Sequence, residues 1–514
     1  MPTVMLAGPG GRATVPGMLT LLLTLTACAP DEPAAPPGPE LQPAAPGPPQ
    51  GGPHGGPHGG PGGGQAPSDA APIAAPPGEL SPVGELAAAP KNILLISWDT
   101  TRADRLSAYG GRAEAPNLEA LAAAGARFDQ AVTHFPETAL SHWTMLTGVT
   151  PPAHGDVPGT GGSQYRGPTL AELTGAHGYA TGAFVGGVTL TAQAAGLHRG
   201  FDRYDDDYDW YSSDLKRPAS EVAGRAADWM KARDGRWFAF VHFFDAHAPY
   251  MPPAPWDTRY DPDYQGPMDG SEGALRPYRD EGKRPVPPDD LAHALALYDG
   301  ELSWLDSWLP TLLDAAGPDT VVILTADHGE SFEHDYYFNH RASMWDSTLR
   351  VPLVIRAPGV TPGTTVGAQV ALTDVAPTAL ALAGLPTDGK MQGRSLIPLM
   401  RGEGGGHEVV YASTDPVMPG FQVAARSIGA KAIWREGLPI LGYDLAADPA
   451  EATDLGQPGP GLSEALAPWC ASLAAAEPLQ RAPLDRRHPL PQEIEQLILL
   501  GYLERGEGAW RCIE

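Results

Sequence analysis

Three stretches of the chain are apolar almost throughout and then close on an acid: "NILLISWD" at 92–99, "RWFAFVHFFD" at 236–245 and "DTVVILTADH" at 319–328. A strand with one wet face alternates apolar and polar residues. These runs do not, so they read as strands buried on both faces. Helical patterns lie between them. "APNLEALAAAGARF" has Pro116 near its start and Gly125 near its stop, the usual punctuation of a helix. "TLAELTGAHGYATGAFVGG" reads helix, turn, strand. "SEVAGRAADWMKARDG" and the long "DDLAHALALYDGELSWLDSWLPTLLDAA" read as helices feeding the second and third acid-ended strands, and "VPLVIRAPG" as one further strand. Helices alternating with Val/Ile-rich strands predict an α/β fold, a mostly parallel sheet covered on both faces. Beyond about residue 400, "HEVVYAS", "VAARSIGAKAIW" and "LPILGYDL" predict short strands in a smaller, partly antiparallel unit.

In parallel α/β sheets ligands sit beyond the carboxyl ends of the strands. Asp99, Asp245, Asp327 and His328 fall there. One acid after a strand is usually a turn or helix-cap residue; three such ends, two with histidines close by, point to a metal site. Crowded carboxylates repel unless a cation compensates. Asp99, Asp327 and His328 form a first expected ligand set, and Asp245, His247 and His340 a second. Oxygen and nitrogen donors suit Zn, Mn, Mg or Ca, and the sequence does not choose among them. Two such ions can clamp the attacking and leaving oxygens of an in-line displacement.

The 514 residues carry a formal charge of −27. So acidic a surface repels nucleic acid and anionic headgroups, and no nucleic-acid partner is expected. An anionic substrate has to be drawn in by metal ions or a few placed cations. "MLTLLLTLTAC" is apolar but too short to span a bilayer, and reads as an export signal over residues 1–28. Leu25-Thr26-Ala27-Cys28 looks like a bacterial lipobox, with Cys28 the lipidated residue. An ordinary cleaved signal is the other reading, and Met18 is a second possible start. Residues 29–90 are rich in Pro, Gly and Ala and include "GGPHGGPHGGPGGG". They cannot bury enough apolar surface to fold, and read as a disordered tether. The expected location is therefore outside the cytoplasm, at the periplasmic face of a membrane or the cell surface, touching it only through the lipid. Cys470 and Cys512 are the remaining cysteines. A disulfide between them and two free thiols are both open.

The series from "NILLISWDTTRADRLSAYG" through "TALSHWTMLTG", "FFDAHAPY", "TADHGE", "RVPLVIRAPG", "LTDVAPTALALAGLP", "GRSLIPLMRG" and "GYDLAADPAEATDL" resembles the sulfatases, of the alkaline phosphatase-like superfamily, in the right order. The resemblance implies a three-layer α/β/α catalytic domain over 91–400 and a C-terminal subdomain with a short antiparallel sheet over 401–514. It also implies a metal-dependent hydrolase of sulfate or phosphate esters, acting on a small molecule or a glycan. Asp99, Asp327 and His328 match the family's metal ligands.

The chain departs from the family at the nucleophile. Sulfatases carry Cys or Ser in a C/S-x-P-x-R pattern that is oxidised to formylglycine. Aligning the shared "LTG" puts Thr138 there, with Leu140 at the proline and His142 at the arginine. Threonine carries a methyl on its side-chain carbon and cannot follow that route, so no formylglycine is expected. Phosphodiesterase and phosphonate-processing relatives use a metal-bound threonine, which implies Thr138 as nucleophile and metal ligand and favours phosphoester chemistry. His340 stands where many sulfatases carry lysine. His142 is expected to orient the nucleophile or the anion, and His247 to bind metal, anion or leaving group. Ser141 is the rival nucleophile; a helix N-cap is its plainer reading. Arg102 and Arg341 are candidates for holding the non-reacting oxygens, with salt bridges the competing fate. "YDDDYDW" at 204–210 reads as a calcium loop or a solvated acidic loop. A glycopolymer phosphotransferase and a non-catalytic binding protein are the alternative functions.

Overall fold

The computed structural model describes residues 92–154, 165–208, 216–279, 284–414, 421–435, 437–458 and 462. The signal, Cys28, the tether, Cys470 and Cys512 lie outside them.

The described strands are β1 (Asn92–Trp98), β2 (Ala126–Val132), β3 (Ala180–Val185), β4 (Arg203–Asp205), β5 (Trp237–Phe243), β6 (Thr320–Thr325) and β7 (Ser331–Glu333). They continue as β8 (Tyr336–Asn339), β9 (Arg350–Arg356), β10 (Thr364–Ala371), β11 (Val410–Ser413), β12 (Gln422–Arg426), β13 (Ala430–Arg435) and β14 (Leu438–Asp444). Eight of them form one sheet in the order β10-β2-β9-β6-β1-β5-β3-β4. Only β9 runs against its neighbours; the other pairings are parallel. The three acid-ended strands, β6, β1 and β5, lie side by side at its centre. Their carboxyl ends therefore open at one place.

The continuous apolar runs explain this placement. Along β1, Ile93 and Leu95 enter one core while Leu94 and Ile96 enter the other. Helix α1 (Pro116–Ala123) enters the second core through Leu118 and Leu121, and helix α2 (Thr138–Thr147) packs on the first face through Trp143, Met145 and Leu146. The helices Ala219–Lys231 and Pro288–Ala316 cover the second face. The sheet is thus sandwiched, as the sequence pattern predicts. A four-stranded antiparallel sheet, β11-β12-β13-β14, follows. Val410, Ala412, Ala424, Ile433 and Tyr443 of that sheet share a core with Met344, Leu349 and Val132.

Candidate active site

The central strands deliver the site. Ser97 of β1 pairs in register with His242 of β5 and with Thr325 of β6. Asp99 follows β1, its N–H donating to Phe243 O at 2.8 Å. Thr100 next to it has φ 49°, a conformation that costs a β-branched residue on the order of 1–3 kcal/mol. That turn aims the Thr100 N–H at Asp327 Oδ1, 3.1 Å away. Asp327 Oδ1 also accepts from the N–H of His328 at 2.8 Å. The chain then passes Ser347 so closely that a Cβ on Gly329 would stand 1.9 Å from its carbonyl oxygen. Glycine is the residue that fits there.

Asp99, Asp327 and His328 are fully buried and offer ligand atoms that all lie within 4.8 Å of one another. Asp99 Oδ1 and Asp327 Oδ2 have no hydrogen-bond partner. Burial, the largest influence, pushes both carboxyls well above the usual carboxylate range, and each titrates with the other. Buried acceptors left unmatched beside an imidazole lone pair are the donor chemistry a divalent cation takes. The residues present therefore fit the metal that the strand-end acids call for.

Thr138 is the first residue of α2, and Glu137 caps that helix by accepting from Leu140 N at 3.2 Å. Thr138 Oγ1 lies 3.5 Å from His328 Nε2. The hydroxyl therefore stands at the donor set and at a helix N-terminus, where partial positive charge favours an oxyanion.

Four histidines share one tautomer. Nδ1 of His142, His247, His328 and His340 donates to the carbonyls of Thr138 (2.7 Å), Ala248 (2.7 Å), Gly329 (3.0 Å) and Pro136 (2.7 Å). Each Nε2 is thereby left with its lone pair. Burial holds all four well below the usual imidazole value. His142 Nε2 accepts from Ser97 Oγ at 2.9 Å. Both its nitrogens are thus committed to protein, and it braces the backbone of Thr138 with no contact left for an anion. The other two Nε2 atoms, of His247 and His340, face each other at 3.4 Å. Two lone pairs at that distance call for a proton or a ligand between them. The His340 ring also stacks on His328, with centroids 4.1 Å apart.

Several sequence expectations are corrected. Asp245 is outside the metal-ligand group: its Oδ1 accepts from Ala219 N (3.0 Å) and Trp304 Nε1 (2.9 Å), tying the two covering helices to β5. Arg102 is spent on salt bridges, through Nη2 to Asp104 at 2.8 Å and through Nη1 to Glu333 at 3.0 Å. Ser141 neither caps α2 nor faces the donor set; its hydroxyl donates to Asp327 O at 2.7 Å. Of the acidic loop, Asp205 pairs with Arg217 (2.9 Å), Asp206 accepts from Ala192 N (2.7 Å) and Asp207 is exposed, 3.5 Å from Arg225, the pattern of a solvated acidic loop. Arg341 follows His340 and is half-buried. His242 was missed: its Nε2 donates to Asp99 Oδ2 at 2.9 Å and aims that carboxylate. A histidine one register step before an acid-ended strand's close was the available signal.

A buried donor set of this kind, able to hold a metal ion, at the centre of a mostly parallel sheet is the architecture of the alkaline phosphatase-like class. The sulfatase family matches residues 91–385, over half of the chain, and the chain belongs to that family. Among curated proteins it is 45% identical to arylsulfatase K of Danio rerio over 82 residues, which is 16% of this chain and 15% of that protein. It is 32% identical to steryl-sulfatase of Rattus norvegicus over 154 residues, 26% of each. The matches thus span about a quarter or less of these relatives' length. Among solved structures, phosphonate monoester hydrolase of Agrobacterium radiobacter superposes with a TM-score of 0.63 at 22% identity, covering 81% of this chain and 98% of that one. A protein solved with its substrate D-glucosamine-2-N,6-O-disulfate superposes at 0.61 with 18% identity, covering 77% and 100%. At these identities the likeness is one of fold.

Proposed function

We propose that this protein hydrolyses phosphate or sulfate esters, phosphoesters by preference, with Thr138 as nucleophile. The observation that carries the reading is the Thr138 hydroxyl beside His328 Nε2, at the start of α2. Asp99, Asp327 and His328 would hold one divalent cation, with the Thr138 oxygen completing the set. When bound, that ion supplies Lewis acidity and offsets the two buried carboxylates.

The remaining steps belong to the chain. His142, bonded to Thr138 O and Ser97, fixes the helix start so that the hydroxyl keeps its aim. Thr138 Oγ attacks the central atom of the ester, its proton passes to solvent or to Nε2 of His247 or His340, and the bond to the leaving alcohol breaks as the departing oxygen takes up a proton from the same pool. Water then cleaves the threonyl ester. His247 and His340, whose Nε2 atoms converge, bind a substrate oxygen or pass a proton to the leaving alcohol. Arg341 is the remaining candidate for the non-reacting oxygens. A second cation loses support with Asp245, since the described residues hold one donor group.

The substrate is read as a small-molecule or glycan ester, in line with the disulfated sugar of one structural neighbour. Export and a lipid anchor at Cys28 rest on the sequence; among the described residues no helix is long and apolar enough to cross a membrane. The test pairs metal analysis with turnover of matched phosphate monoester, phosphate diester and sulfate ester. Wild-type protein should turn over a phosphoester with one bound divalent ion. Thr138→Ala should abolish this, and Thr138→Ser should keep part of it. Sulfate-only turnover that survives Thr138→Ala would overturn the reading.

A further inference from the structure

The segment from His340 to Asp346 is anchored at both ends of its reach: the His340 ring bonds Pro136 O in the main domain, and residues 342–346 are gripped by the C-terminal sheet. Gln422 Nε2, on β12, donates to Ala342 O at 2.8 Å. Lys431 Nζ, on β13 and fully buried, donates to Met344 O at 3.2 Å. Lys431 also pairs with Asp346 at 2.5 Å and Glu451 at 2.8 Å. Arg426, only 2% exposed, grips Asp346 through Nη2 (2.7 Å) and Nε (2.8 Å). Its Nη1 donates to Gln369 (2.6 Å) and Nη2 donates also to Gln130 (2.7 Å) at the edge of the large sheet. Glu451 accepts from Asp346 N at 2.5 Å. Met344, between these anchors, is buried in the core that the small sheet shares with Val132 and Ala371 of the large one.

This grip is costly where plain packing would serve. Four charges are withdrawn from water, and apolar residues of the same volume do as well for stability. What a buried charge network adds is a single geometry: each polar atom has few positions in which it is matched. The segment so fixed starts at His340, whose Nε2 stands opposite His247 Nε2.

We infer that Gln422, Arg426 and Lys431 are positioning residues for the active site, setting His340 through the backbone of residues 342–346. The small sheet is then part of the catalytic apparatus. The consequence for turnover rests on the reading of His340 given above; the positioning itself does not.

Removing Lys431 leaves Asp346 and Glu451 uncompensated and is liable to unfold the protein, so Gln422→Ala is the main probe. Its bond lies at the half-buried rim of the network. Val423→Ala is the control. Val423 sits on the opposite face of the same strand, in a separate core with Ala425 and Leu462. Two readouts are taken on the full chain: side-chain nitrogen spectra of the histidines, with His340 assigned by its loss in His340→Asn, and turnover of the best ester found. Gln422→Ala should shift the His340 resonances and lower kcat about tenfold with little change in KM. Val423→Ala should lower the melting temperature at least as much and move neither. Identical His340 resonances in wild type and Gln422→Ala would overturn the inference. If the resonances shift and His340→Asn still turns over normally, the positioning stands and the catalytic role of His340 falls instead.

Discussion

Two clusters of charge are buried in this protein, and they are built on opposite rules. Around Asp346, two acids face two bases, and each charge has an opposite within 3 Å. Burial acts to raise both acids: at Asp346, Arg426 and then Lys431 override it and hold the carboxyl well below the usual range, while Glu451, with Lys431 as its cation, is pushed up to about 7. Around Asp327, two acids face neutral imidazoles, those of His242, His328 and His142. No lysine or arginine among the described side chains pairs with them at salt-bridge distance; the ionisable bases within that distance of Asp99 and Asp327 are histidines. There burial wins and both carboxyls rise. A fold spends balance where it needs shape. It tolerates imbalance where something outside the chain is to complete the set.

The largest effect should come from changing the sign of this balance. Asp327→Asn removes charge from the unbalanced cluster. Its amide oxygen still accepts from Thr100 N and His328 N, and its NH2 faces the His328 Nε2 lone pair, now 3.3 Å from Oδ2. Turnover should fall about a thousandfold. Stability of the chelated protein should rise by on the order of 1–3 kcal/mol, since a buried like-charge pair is relieved. Chelator-treated protein unfolded in urea gives the second number. Should Asp327→Asn weaken the chelated protein as well, the contrast between the clusters would be wrong.

The next prediction concerns the seam between the two sheets. His134, on the main domain, donates from Nδ1 to Tyr411 O of β11 at 2.7 Å. Burial holds this imidazole down at about 4, against the opposing pull of the Tyr411 carbonyl and of Asp374. Between pH 4 and the ordinary value of about 6.5 the unfolded chain therefore binds more protons than the folded one. The stabilisation is complete above 6.5 and is lost as pH falls through 4, over a range of about 3 kcal/mol. His134→Gln should flatten that slope in urea titrations at pH 4.5 and 7. An unchanged slope would place the acid sensitivity in another group.

The balanced and unbalanced clusters also differ in how far the sequence foretold them. The acids at 99 and 327 were visible because they end continuous apolar runs, a local pattern that fixes both strand and position. The strands β2 and β10 were not foreseen. "ARFDQAV" and "TTVGAQVA" are short, half polar, and become strands through pairing with each other and with β9. Asp245 is harder to read than its neighbours because an acid after a strand has two uses. It caps the next helix or it binds a ligand, and only the position of Ala219 and Trp304 decides. For Arg102 the salt-bridge reading holds: Asp104, two residues on, was a visible partner, while nothing local says that Glu333, 231 residues on, returns as the other. The Asp346 network joins β12, β13 and Glu451 to a segment far upstream, so no spacing in the sequence announces it.

The smallest effect tests the choice between neighbouring hydroxyls. Ser141 lies one turn beyond Thr138 on α2, and either alcohol satisfies a reader of sequence alone. In the folded protein Ser141 Oγ donates to Asp327 O and lies 2.9 Å from Thr133 Oγ1. Its hydrogen is committed to a carbonyl, and it is absent from the surroundings of His328 Nε2, where Thr138 stands. Ser141→Ala leaves one buried carbonyl without its donor, a cost of about 1–3 kcal/mol in stability. The Asp327 side chain keeps both of its backbone donors, so turnover should stay within about threefold of wild type. Steady-state rates at saturating metal, measured well below the melting temperature, separate the two losses. Turnover that vanishes in Ser141→Ala and persists in Thr138→Ala would move the nucleophile one helical turn and dissolve the link between the unbalanced cluster and the reactive oxygen.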